Sequence, residues 1–224
     1  MARTGLASPA TAVSFGEWSA QYGTIHIDVG TGDGRYALYL ARREPSRGVV
    51  GLDTCLDHLE VHPRRLPPNL RFVSADARAI PPVLTGRAAA LSVNFPFSAL
   101  LKGLLGGDHA LLYSLAAALA PDGHVAVRIN ARALAETGIS LAEAGVRVER
   151  GLRAMGLDRI TTTTLDAGEL RRFPSTWAKR IGFGRNPRAV QITARLAEVP
   201  MGPALCNDVR RRSLASDQLE SVSA

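Results

Sequence analysis

Short apolar runs alternate along this chain with segments whose apolar residues recur at helical spacing, and that alternation predicts an α/β fold. The first run, Ile25-His-Ile-Asp-Val29, passes into a turn with glycines at 30, 32 and 34. A helix is expected over 35–44, a strand over 48–53, a short helix near 55–62 and a strand over 71–75. The pattern continues with a strand over 88–94, helices over 98–105 and 108–120, and a strand over 124–130 introduced by the turn Pro121-Asp122-Gly123. A helix over 138–155, a strand over 157–165, a short helix over 166–173 and a strand over 188–196 complete the series. Seven strands interleaved with helices predict a Rossmann-like, mainly parallel seven-stranded sheet with helices on both faces. No internal repeat is visible.

Length and composition fit one domain. At 224 residues and 46% hydrophobic content the chain suits a single α/β unit. That unit is expected over residues 1–199, with 200–224, rich in Ser, Arg and Ala, as a flexible tail. No apolar stretch approaches the roughly 20 residues of a membrane span, and no charged-then-apolar leader is evident, so a cytoplasmic protein without membrane association is expected. Two cysteines far apart, Cys55 and Cys206, suggest neither a disulfide framework nor a metal site.

Charge changes the picture more. The formal net charge is +7, carried almost entirely by arginine because Lys102 and Lys179 are the only lysines. Such a balance favours a polyanionic partner. Arg64-Arg65 follow the second strand, Arg171-Arg172 precede the last, and Lys179, Arg180, Arg185 and Arg188 cluster around Trp177. Any one of these pairs taken alone also reads as a solvated face.

The densest chemistry lies in the first turn. Gly30, Gly32 and Gly34 allow positive φ and close approach of a ligand to the backbone, and Asp28 places a carboxylate at the strand's carboxyl end. Nineteen residues past Gly34 the second strand ends in Asp53, where an acid can bond a ribose diol. A dinucleotide site would carry Gly-x-Gly-x-x-Gly with the third glycine in the helix; here the spacing is Gly-x-Gly-x-Gly and position 35 is arginine. Asp28 together with the third strand, Arg71-Phe-Val-Ser-Ala-Asp76, resembles the S-adenosylmethionine (SAM) methyltransferase series, in which the acid closing the third strand, here Asp76, lies near the adenine. An ordinary βα turn with a solvated Asp53 is the bland alternative.

Two further clusters follow. Asn94-Phe95-Pro96-Phe97 lies directly after the fourth strand, at the crevice where an open α/β sheet binds ligands. It resembles the Asn-Pro-Pro-Tyr type of loop, which in amino-methyltransferases holds a planar amino group and stacks an aromatic ring on the target base. Phe97 would supply that ring, while Phe95 reads equally as a core residue. The other cluster, Pro174-Ser-Thr-Trp-Ala-Lys-Arg180, surrounds one of only two tryptophans with polar and basic neighbours. A stacking platform is the better reading of Trp177, in a polar linker outside the periodic core segments, against a half-buried packing residue. Base stacking on an aromatic is worth roughly 1 to 3 kcal/mol, enough to help offset unstacking.

Over about residues 15 to 196 the chain resembles the 16S rRNA (adenine(1408)-N1)-methyltransferases that confer aminoglycoside resistance. The resemblance rests on Asp28-Val-Gly-Thr-Gly-Asp-Gly34, Leu66-Pro-Pro-Asn-Leu70, Ile80-Pro-Pro82, Pro96-Phe97 with Leu100-Leu-Lys-Gly103, and Ser175-Thr-Trp-Ala-Lys-Arg180. It implies a class I SAM-dependent fold, the 30S ribosomal subunit as substrate and a flipped adenine held between two aromatics, at positions matching Phe97 and Trp177. The cofactor set expected here is Asp28, Gly30, Thr31, Gly32, Asp53, Asp76, Ala77, Asn94, Phe95, Pro96, Ser175 and Thr176. The RNA-binding set is Arg64, Arg65, Lys102, Lys179, Arg180, Arg185 and Arg188. Relatives usually have a tryptophan at the position of Phe97 and a longer, lysine-rich segment where residues 54 to 70 stand here.

The chemistry so implied needs positioning rather than acids and bases. Adenine N1 offers an in-plane lone pair, so in-line attack on the sulfonium methyl removes no proton, and Asn94 with the loop carbonyls would fix the exocyclic amine. No metal and a monomeric state are expected. A tRNA guanine-7 methyltransferase, a small-molecule methyltransferase and a SAM-binding RNA chaperone without turnover are the rival readings.

Overall fold

The computed structural model describes residues 9–61 and 66–196. Seven strands run in the order β3-β2-β1-β4-β5-β7-β6: β1 (Ile25–Val29), β2 (Gly48–Asp53), β3 (Leu70–Ser74), β4 (Ala88–Asn94), β5 (Leu119–Asn130), β6 (Leu157–Leu165) and β7 (Ala189–Leu196). The first five are parallel neighbours, and β7 lies antiparallel between β5 and β6. All of β1 is buried, as a central parallel strand covered on both faces must be. Its neighbours lead away in opposite directions, which makes the gap at the carboxyl ends of β1 and β4 the switch point of the sheet. In register, Val29 pairs with Leu52 and Val93, so Asp53 and Asn94 emerge level with the turn that follows β1.

The helices are α1 (Pro9–Ala20), α2 (Arg35–Arg43), α3 (Ser98–Gly106), α4 (His109–Ala118), α5 (Leu141–Ala154), α6 (Ala167–Arg172) and α7 (Thr176–Gly182). Adjacent residues Val49 and Val50 point to opposite sides of the sheet and join different cores. Val50 belongs with Ile25, Ile27 and the inner faces of α3, α4 and α5; Val49 packs with Ala37, Leu40 and Ala41 of α2. A third cluster joins Phe95 and Ala189 to Leu170 of α6 and to Ala178 and Ile181 of α7. None of these helices is long and apolar enough to cross a membrane.

Several boundaries differ from expectation for local reasons. Residues 55–61 form a turn at Asp57-His58 rather than a helix, because the segment is tied to its surroundings: Cys55 N donates to Asp53 Oδ1 (3.3 Å) and Glu60 N to Asp33 O (3.1 Å). Gly138 adopts φ 69 and Ser140 caps the next helix, so α5 starts at Leu141. Helix α1 carries Trp18, 5% exposed, whose Nε1 donates to Pro68 O at 2.8 Å between Phe15 and Tyr22. The segment around Trp177 is helix α7, capped by Ser175, and not an extended linker.

Candidate active site

The turn after β1 is shaped by its glycines. Gly30, Gly32 and Gly34 have φ of 71, 55 and 75, all in the left-handed region that side chains disfavour. A Cβ on Gly34 would stand 2.8 Å from both Leu59 and the Phe72 ring, so Gly34 also fixes how closely β3 approaches. Asp53 Oδ2 accepts from Gly32 N at 2.9 Å, which orients this carboxylate toward the turn.

Asp28 is 2% exposed and accepts three hydrogen bonds, from Thr31 Oγ1 (2.9 Å), Ser92 Oγ (2.9 Å) and Asn94 Nδ2 (3.0 Å). One carboxylate thus ties β1, the glycine turn and the end of β4 together. Burial pushes its pKa up to about 6 in spite of these donors and the nearby Arg128. Behind it, His26 Nε2 lies 3.0 Å from Ser92 Oγ, and burial lowers the imidazole to about 3.

Arg128 of β5 extends this network, and nothing in its sequence neighbourhood marks it. Its Nη1 donates to Asn94 Oδ1 (2.8 Å), its Nε to Gln191 Oε1 (2.7 Å), and its guanidinium lies 4.9 Å over the Phe173 ring. Phe173 stacks on Tyr36 at 5.1 Å and meets Phe95 edge-on at 5.5 Å. Both ends of the Asn94 amide are therefore engaged by protein, so the side chain expected to fix the exocyclic amine of a base instead braces the loop. Asn94 and Arg128 are register partners on β4 and β5, so only the strand order and register could have suggested that they meet.

The loop that follows is strained at both ends. Phe95 (φ 52) and Ser98 (φ 49) are left-handed without being glycine, at a cost of order 1 to 3 kcal/mol each. Phe95 is buried in the third cluster and its N donates to Arg128 O (2.8 Å), which holds the strained backbone. Pro96 stays buried, and Phe97 beyond it turns outward and is 49% exposed.

Across from it stands Trp177, on the first turn of α7. The two rings meet edge to face, centroids 5.4 Å apart and planes 74° apart. Trp177 is half-buried against the α6–α7 cluster, and its Nε1 is buried without a hydrogen-bond partner. This corrects the view of Trp177 as lying outside the core segments. A base between parallel rings requires two van der Waals gaps of about 3.5 to 4.0 Å each, so the present contact is closed.

A single cavity of about 890 Å³ joins these parts. Every residue expected to hold the cofactor lines it: Asp28, Gly30, Thr31 and Gly32 from the first turn; Asp53, Asp76 and Ala77 from the next two strand ends; Asn94, Phe95 and Pro96; and Ser175 with Thr176. Phe97, Trp177 and Arg180 form its mouth, and Tyr36 is a lining residue missed in the sequence. Two of the polar groups have structural duties: Asp76 caps a single helical turn at Ala77–Ala79, and Ser175 Oγ accepts from Ala178 N. Lys102, Lys179, Arg185 and Arg188 are exposed and lie off the cavity, whereas Arg64, Arg65 and the tail from 200 fall outside the described residues. Among the described residues no cluster of potential metal ligands occurs.

The volume lies within the range of small-molecule sites, and its backbone-lined floor, the carboxylate of Asp53 and its apolar wall suit an adenosine with a charged tail. Fold, turn and cavity define a SAM-dependent methyltransferase of class I. The family model NpmA, 16S rRNA (adenine(1408)-N(1))-methyltransferase, matches residues 7–196, and the chain belongs to that family. It is 31% identical over 188 residues, 77% of this chain and 86% of the other, to the 16S rRNA (adenine(1408)-N(1))-methyltransferase of Streptoalloteichus hindustanus. The crystal structure of the 16S rRNA methyltransferase KamB superposes with a TM-score of 0.72 at 28% identity, covering 85% of this chain and 94% of that one. A tRNA (guanine-N(7)-)-methyltransferase of Rubrobacter xylanophilus is 36% identical over only 77 residues, 32% of this chain and 34% of its own length.

Proposed function

We propose that the protein methylates N1 of adenine 1408 of 16S rRNA in the 30S subunit and so confers resistance to aminoglycosides. The observation that carries the reading is the facing pair Phe97 and Trp177 at the mouth of a cavity whose floor is the glycine turn. When bound, SAM supplies an electrophilic methyl group on a sulfonium. The residues around it bind and orient. Asp53, held by Gly32 N, would hold the ribose diol, and Asp76 and Ala77 would hold the adenine. The backbone of the strained Asn94–Phe97 loop, rather than the occupied Asn94 side chain, offers carbonyls to the exocyclic amine of the target base.

Entry of the target adenine requires the Trp177 ring to turn from edge-on to parallel with Phe97. The unpartnered indole N–H makes the closed arrangement costly, because a buried donor left unbonded loses about 1 to 3 kcal/mol. Held between parallel rings, the adenine would present its N1 lone pair toward the cavity, and attack through that lone pair would need no general base. Methylation leaves a cationic ring, which two aromatic faces favour by about 0.5 to 2 kcal/mol. Arg180 at the cavity mouth, with exposed Lys179, Arg185 and Arg188, meets the phosphates around the extruded nucleotide.

Incubation with methyl-labelled SAM and, in separate reactions, 30S subunits, free 16S rRNA and bulk tRNA tests the reading. Label is expected on 30S subunits; label on tRNA alone would contradict it.

A further inference from the structure

Phe183 is the most exposed large apolar side chain among the described residues, at 77%. It is not on a loose tail. Its N donates to Lys179 O (3.1 Å), and it closes α7 in helical backbone geometry. Gly182, just before it, lies against α6: a Cβ there would come within 2.9 Å of the Arg171 backbone N and Cγ and 3.1 Å of Ala167 O. That close approach brings Arg171 onto the end of α7, where Nη1 donates to Gly182 O (3.2 Å) and the guanidinium sits 5.5 Å from the Phe183 ring centroid. The ring is therefore backed by a fixed cation and open to solvent elsewhere.

A single exposed apolar side chain is ordinary on a protein surface; Phe183 is set apart by the Arg171 guanidinium held against its ring. Its neighbours decide the partner. Arg171 lies over the ring, exposed Lys179 and Arg180 stand one helical turn before it, and exposed Arg185 follows two residues later. Aromatic faces interleaved with arginine are the chemistry that stacks bases while meeting phosphates. Six residues along a helix place Phe183 about 9 Å further along α7 than Trp177. It is thus separate from the Phe97–Trp177 clamp.

We propose that Phe183, backed by Arg171, is a second stacking platform that takes an unpaired RNA base beside the nucleotide bound at Trp177. This rests on an RNA substrate as proposed above. Its test is equilibrium binding of full-length protein to purified 30S subunits, with SAM affinity and melting temperature measured on the same samples. Phe183→Ala and Phe183→Leu should each weaken 30S binding about five- to 150-fold, while Phe183→Trp stays within about twofold of wild type. SAM affinity, melting temperature and the slope of log affinity against log salt should all remain at wild-type values, since no phosphate contact is lost. Wild-type 30S affinity in Phe183→Ala would overturn the proposal, as would full affinity in Phe183→Leu, which would assign a plain apolar contact with protein. Loss of SAM affinity and melting temperature in parallel would assign a packing role instead. A wild-type protein that neither binds nor labels 30S subunits overturns the RNA reading itself.

Discussion

At the scale of single residues, the two acids framing the crevice divide the work. Asp53 is oriented by one backbone amide and faces the cavity; Asp28 is spent on three protein donors. Asp53→Ala should weaken SAM binding about tenfold to a hundredfold by removing a charged hydrogen-bond acceptor, with melting close to wild type. Calorimetry checks it, and Asp53→Asn, which keeps an acceptor for Gly32 N, should lose less. Unchanged affinity in both would take Asp53 out of the site. The buried pair beneath gives a pH signature. With Asp28 raised to about 6, the folded state holds a proton that the unfolded chain has released between about pH 4 and 6, so this group makes stability fall as pH rises there. With His26 lowered to about 3, the unfolded chain holds the extra proton between about pH 3 and 6.5, and stability rises with pH. The two slopes oppose each other in the shared window. His26→Asn removes the rising one, so the stability difference between variant and wild type should shift against the variant by about 2 to 3 kcal/mol from pH 4 to pH 6 in urea titrations. A difference that does not depend on pH would contradict a neutral buried imidazole.

At the scale of elements, helix α7 holds the decisive ring. Trp177→Ala should slow single-turnover methylation by about 1 to 3 kcal/mol in barrier and also lower the melting temperature, because the ring packs against α6 and α7. Trp177→Leu separates the two roles: restored melting with slow methyl transfer supports stacking, whereas restoration of both would make Trp177 a packing residue. Trp177→Phe should keep most of the activity. The sequence made the sheet legible because most strands, though not the threonine-rich β6, are distinct apolar runs, and it made the glycine turn legible because alternate glycines after such a run have few other uses. It hid α7, whose Pro-Ser-Thr start and short length give too few periodic positions to register. The segment 55–61 misled in the opposite direction: Leu56 and Leu59 have helical spacing, but Leu59 is spent covering Gly34. Arg128, Tyr36 and Phe173 were illegible because their roles arise from strands and helices far apart in sequence meeting at Asn94.

At the scale of the whole molecule, the parts form one device. The switch point sets the glycine turn, Asp53 and Asn94 level with one another. The Asp28–Asn94–Arg128 network braces the strained loop that presents Phe97, and the α6–α7 pair sets Trp177 opposite it. Beyond the cavity, the exposed cations of α7 and the segment after it face outward. A basic surface converging on a closed aromatic pair at the mouth of a SAM cavity is the arrangement expected of an enzyme that extracts one base from structured RNA. The most direct test is primer extension along 16S rRNA taken from 30S subunits after incubation with SAM and the protein. A methyl group on the Watson–Crick edge of adenine 1408 predicts a strong, SAM-dependent stop immediately before that nucleotide, which appears more slowly with Trp177→Ala. Labelled 30S subunits that give no stop there, or a stop at a different base, would contradict the account.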